Sequence, residues 1–128
     1  MPDPSLTIHT LRPFIPSRDF ETSKRFYLDL GFTLAHDGED LAILELSTCS
    51  FLLQKYYDEI WAKNCMMQIV VDDLDSWWRH IDALKLPDKY DISHPLAPKL
   101  QPWGMRVAYL YDPAGVLWHI AELPGSRS

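Results

Sequence analysis

The stretch Arg12–Phe32 reads RPFIPSRDFETSKRFYLDLGF, and its echo further along the chain decides the fold. Asp19 is a good helix N-cap, and Glu21 puts a negative charge in the first turn, where the helix dipole favours it. Phe20, Phe26, Tyr27 and Leu30 fall near helical spacing, and Gly31 stops the helix just past its end. Upstream, Thr7–Ile15 is rich in β-formers and reads as a strand. Pro13 within it demands an edge position or a bulge, because proline cannot donate to a ladder. Downstream, Phe32–His36, Leu41–Leu46 and Ser50–Tyr57 read as strands, with Asp37-Gly38 as a hairpin signal. The order is strand, helix, three strands.

That order returns in the second half. Met66–Asp72 reads as a strand, and Asp73 caps a helix over Leu74–Leu84. A loop holding Pro87, Pro95, Pro98 and Pro102 follows. Met105–Tyr111 and Val116–Leu123 read as strands joined by Asp112-Pro113-Ala114-Gly115. Proline second and glycine fourth suit a type I turn closed by a glycine bulge. Asp73, Leu74 and Leu84 stand 54 residues after Asp19, Phe20 and Leu30, which implies two copies of one unit, about residues 6–58 and 65–123. Runs of tightly connected strands exclude a doubly wound sheet. The expected class is α+β: two βαβββ modules forming a curved mixed sheet with a concave pocket.

Composition narrows the function. The 128 residues suit a single domain spanning 1–128, with 47% apolar and 23% charged residues. No apolar run approaches the ~20 residues a membrane helix needs. The opening MPDPSLTIHT lacks the basic and apolar regions of a signal peptide, so a cytoplasmic location is expected. Cys49 and Cys65 lack metal spacing and read as two buried, reduced thiols. A net charge of −6 disfavours a nucleic-acid partner and suits a neutral or cationic ligand. The five glycines are scattered, so no phosphate loop is present. Asp72, Asp73 and Asp75 sit at a helix start, where capping explains them.

Three motifs in order carry a resemblance: Phe26-Tyr27 followed by Gly31-Phe32, Pro102-Trp103-Gly104 before a strand, and Asp112-Pro113-Ala114-Gly115 near the end. Together they resemble the vicinal-oxygen-chelate superfamily, which includes glyoxalase I, fosfomycin-modifying transferases, ring-cleaving dioxygenases and bleomycin-binding proteins. The segments IPSRDF, LGF and LQPWG look closest to the bleomycin-resistance branch.

The resemblance implies four strand positions that hold a divalent metal in the enzymes. Carried onto this chain, they fall on His119, Met66, Gln54 and either Arg12 or, with a gap, His9. A thioether is a poor ligand for a hard ion, a guanidinium repels one, and no Glu stands at any position. No metal cofactor is therefore expected. Were one bound, His9, Gln54 and His119 would be its ligands. Glu122, three residues past His119, should face the other way.

His119 has three readings: a half-buried ring satisfied by a hydroxyl or water, a ligand contact, or a metal ligand. Pairing across the Asp112–Gly115 bulge puts Tyr109 opposite it, while Trp118 should face the helices. Of Trp77 and Trp78, adjacent on a helix, one should be core and the other at a flank. By the resemblance, the connection carrying Tyr56 and Trp61 and the loop carrying Trp103 border the cavity. The expected ligand-binding set is Gln54, Tyr56, Trp61, Met66, Trp103, Tyr109 and His119. Flat aromatics suit a planar or cationic molecule. The resemblance thus implies a homodimeric protein that binds and sequesters an antibiotic-like ligand without catalysis. The alternatives are a divalent-metal-dependent lyase, isomerase or dioxygenase, and a non-catalytic interaction or immunity module using the pocket for a partner side chain.

Overall fold

A computed structural model describes residues 4–124. It contains eight strands and four α-helices: β1 (Phe14–Pro16), α1 (Phe20–Leu30), β2 (Thr33–Asp37), β3 (Leu41–Leu46), β4 (Cys49–Gln54), α2 (Glu59–Asn64), β5 (Met66–Val71), α3 (Leu74–Leu84), α4 (Leu86–Lys89), β6 (Leu96–Leu100), β7 (Arg106–Tyr111) and β8 (Leu117–Glu122). They form two four-stranded mixed sheets, ordered β1-β4-β3-β2 and β5-β8-β7-β6. The α+β class and the matching βαβββ topology of the halves agree with the sequence. No helix among the described residues is long and apolar enough to cross a membrane.

The local signals act as expected. Asp19 accepts from the Thr22 amide at 3.1 Å, and Gly31 ends α1 at φ 126°, a conformation that favours glycine. Asp73 caps α3 in the same way through Ser76. The Asp112–Gly115 turn closes with Gly115 N–H donating to Asp112 O at 3.0 Å, and Gly115 takes φ 97°.

Four expectations need correction. The first strand is far shorter than Thr7–Ile15: pairing begins only at Phe14, past Pro13, and runs parallel to β4. The proline-bearing loop contains β6, which pairs antiparallel with β7 and shifts register between Leu96 and Lys99, around Pro98. Part of the connection after β4 is helical, because Asp58 caps α2 through the Trp61 amide. Cys49 is exposed rather than buried, since it opens β4 at the turn; Cys65 is half-buried, and both thiols are free.

One core serves both halves. Each sheet turns one face toward α1 and α3, and the rings there interlock. Tyr27 meets Phe26, Phe32, Phe51 and Trp118 edge-on at 4.8–5.8 Å between centroids. Such pairs each add ~0.5–1.5 kcal/mol beyond the area they bury. Trp118 is buried as expected, whereas Trp77 and Trp78 both pack partly against the core.

Candidate ligand-binding face

Strand alternation leaves each sheet a second face, pointing away from the common core. On the second sheet this face carries Met66, Gln68 and Val70 of β5, then Leu117, His119 and Ala121 of β8, then Tyr111, Tyr109 and Val107 of β7. The register places them in rows: Met66 with Leu117 and Tyr111, Gln68 with His119 and Tyr109, Val70 with Ala121 and Val107. Met66 is 64% exposed and Val70 49%, an apolar surface that water would not select. On the first sheet the equivalent face carries Phe14, Leu41, Ile43, Leu52 and Gln54, and also Glu45 and Ser50, both of which Arg12 contacts. Phe14 is half exposed.

The central row holds the chemistry. The rings of Tyr109 and His119 meet edge-on, 4.8 Å apart. His119 Nε2 is buried and makes no hydrogen bond. An unpaired buried polar atom costs ~1–3 kcal/mol, so it calls for a partner. Burial also lowers the pKa of this imidazole, because a charge there would lose its water. The ring is thus neutral at pH 7 and presents one donor and one acceptor nitrogen.

The expected ligand set divides among three places. Met66, Tyr109 and His119 share the open face of the second sheet. Gln54 ends β4 in the other sheet; Tyr56 and Trp61 follow it, with ring centroids 6.2 Å apart. Trp103 stands 57% exposed in the turn before β7, beyond the end of that strand opposite to Tyr111. Sequence reasoning missed Gln68, whose backbone lies beside that of His119. Counting along β5 from Met66 in steps of two would have found it and then Val70.

A divalent metal does not fit this face. The row offers one imidazole, one amide and one phenol, and no carboxylate. Catalytic sites of this type use about three strong protein donors. Glu122 faces the other way and is ion-paired with Arg106 at 2.9 Å. His9 lies outside both sheets, exposed, and Gln54 belongs to the other sheet. Among the described residues no group of three or more His, Cys, Asp or Glu could hold a metal ion.

Residues 7–120 match the Glyoxalase/Bleomycin resistance protein/Dioxygenase superfamily. A bleomycin resistance protein of Klebsiella pneumoniae is 30% identical over 117 residues, covering 86% of this chain and 89% of the relative. The crystal structure of a bleomycin-binding protein complexed with bleomycin superposes with a TM-score of 0.77 at 26% identity, over 91% of this chain and 99% of the other. A bleomycin resistance determinant encoded on a transposon gives 0.76 at 25% identity, with the same coverage of both chains.

Proposed function

Because this chain belongs to the Glyoxalase/Bleomycin resistance protein/Dioxygenase superfamily, we propose that it binds and sequesters an antibiotic-like aromatic or cationic molecule, without metal catalysis. The observation that carries this reading is the buried, unpartnered His119 Nε2 beside Tyr109 in an exposed apolar face. That arrangement supplies affinity and one directional hydrogen bond, which is what a sequestering protein needs. It supplies neither a nucleophile–base pair nor the three strong donors that would hold a catalytic metal. The resistance proteins among its relatives support the same class of ligand.

The active unit is a homodimer of a single repeated domain, located in the cytoplasm, where its two free thiols stay reduced. Each protomer bears two open faces, one per sheet, the second largely apolar and the first mixing Phe14, Ile43 and Leu52 with polar side chains. A two-fold partner would set the first-sheet face of one chain against the second-sheet face of the other. Gln54, Tyr56 and Trp61 of one chain would then help enclose a ligand held by Met66, Tyr109 and His119 of its mate, with Trp103 at the margin. Comparing wild type and His119→Ala by tryptophan emission during titration with bleomycin tests the reading. Saturable quenching in the wild type, weakened at least tenfold in the variant, is expected. No response in either protein would overturn it.

A further inference from the structure

We propose that the cleft between the two halves is a second binding site, for an organic cation with a flat apolar body. Its volume is about 430 Å³, within the range of small-molecule sites. Phe32, Leu46, Ile69, Val71 and Trp77 line it. All five pack within or against the common core, so folding sets their positions and no ligand is needed to shape the floor. Ile69 and Val71 are on the core side of β5, opposite Met66 and Gln68. Val70 is the one residue of the open face that also lines the cleft. A second hollow of about 300 Å³ shares Leu46, Ser76 and Trp77 with it and continues to Gly31 and His80. The two make one trough, with Trp77 in both parts.

Charge selects the occupant. Asp72 and Asp73 are in the lining of the larger cavity and are exposed, and that lining includes no Lys or Arg. Asp73 is held ionised by the Ser76 hydroxyl and amide, at 2.6 and 3.0 Å, with Arg79, outside the lining, donating to the same hydroxyl at 2.9 Å. An anion is repelled here. A neutral ring gains only the floor. A cationic ring gains the floor, the carboxylates and the electron-rich indole of Trp77. Ser47 and the exposed Cys49 also line the cavity, so the Cys49 thiol reports occupancy.

The test measures iodoacetamide alkylation of Cys49, read on its own peptide, during titration with N-methylacridinium. Acridine, neutral at pH 8 and nearly the same shape, is the control. The cation is expected to slow alkylation with an affinity about fivefold above that of acridine. In the double variant Asp72→Asn, Asp73→Asn the two affinities should converge, because asparagine keeps the helix cap and removes the charge. His119→Ala should leave both unchanged, which separates this site from the Tyr109–His119 face. Equal affinities in the wild type would overturn the proposal, as would unslowed alkylation at saturation or dependence on His119. A Cys49 closed to iodoacetamide before any ligand is added would also overturn it, since a second copy would then cover the cleft.

Discussion

The Tyr27 hydroxyl donates to Asp112 Oδ2 at 2.5 Å, joining the helix of the first half to the turn that closes the second. The other carboxylate oxygen accepts from the Ala114 and Val116 amides, each at 2.9 Å, and the Trp118 indole N–H donates to the Tyr27 oxygen at 3.0 Å. All of this is buried inside the aromatic cluster. The halves are therefore registered by a directional network as well as by apolar packing.

Tyr27→Phe keeps the ring and removes both a donor to Asp112 and an acceptor for Trp118. Two buried groups lose partners at once, so unfolding free energy should fall by about 2–4 kcal/mol. Urea denaturation checks this. A loss below ~0.5 kcal/mol would show that the network is not a structural tie.

Burial pushes the Asp112 carboxyl up to about 6, against the pull of its Tyr27 and backbone donors. A pKa raised on folding means that the native state holds the proton more tightly. The resulting stability is complete below the unfolded value of ~3.9 and is lost as pH rises through about 6. Asp112→Asn cannot titrate. Stability of the wild type relative to this variant should therefore drop by about 1 kcal/mol between pH 5 and pH 7.5. A difference independent of pH would contradict the assignment.

His119→Phe should separate stability from binding. Replacing an unpaired buried nitrogen by carbon removes a desolvation cost, so the free protein should hold its stability or gain up to about 1 kcal/mol. Ligand affinity should fall about tenfold. Because burial lowers the pKa of His119, wild-type binding should persist through pH 6.5 and weaken only at more acidic pH. Thermal unfolding with and without ligand measures both effects.

The largely apolar open face of the second sheet predicts self-association. Light scattering should give twice the chain mass, and Val70→Lys should shift the protein toward monomer and weaken ligand binding together. A monomeric wild type at tens of micromolar would remove the basis for a cleft shared between chains.

How much of this was legible follows from the range of the signals involved. Asp19, Gly31, Asp73 and Gly115 act through bonds to near neighbours, so their residue types sufficed to place helix ends and the last turn. The Tyr109–His119 pair follows from that turn, because a hairpin fixes register. β6 was hidden because Pro95 and Pro98 read as loop, and only pairing with β7 holds that segment extended. β1 was overextended because β-propensity cannot say where a partner strand begins; Ile8 and Leu11 have strand-like composition yet stand exposed. The cleft beside Trp77 depends on how two distant halves meet, which no local pattern encodes.

The most direct test of the central claim is calorimetric titration of chelator-treated protein with metal-free bleomycin, in chelator throughout. The account predicts saturable binding of one ligand per chain, and less than stoichiometric metal uptake when chelator-free protein is incubated separately with nickel, zinc, manganese or iron(II) and dialysed. No binding in chelator, together with stoichiometric uptake of one of those metals that is lost in His119→Ala, would contradict it and make this chain a metalloenzyme.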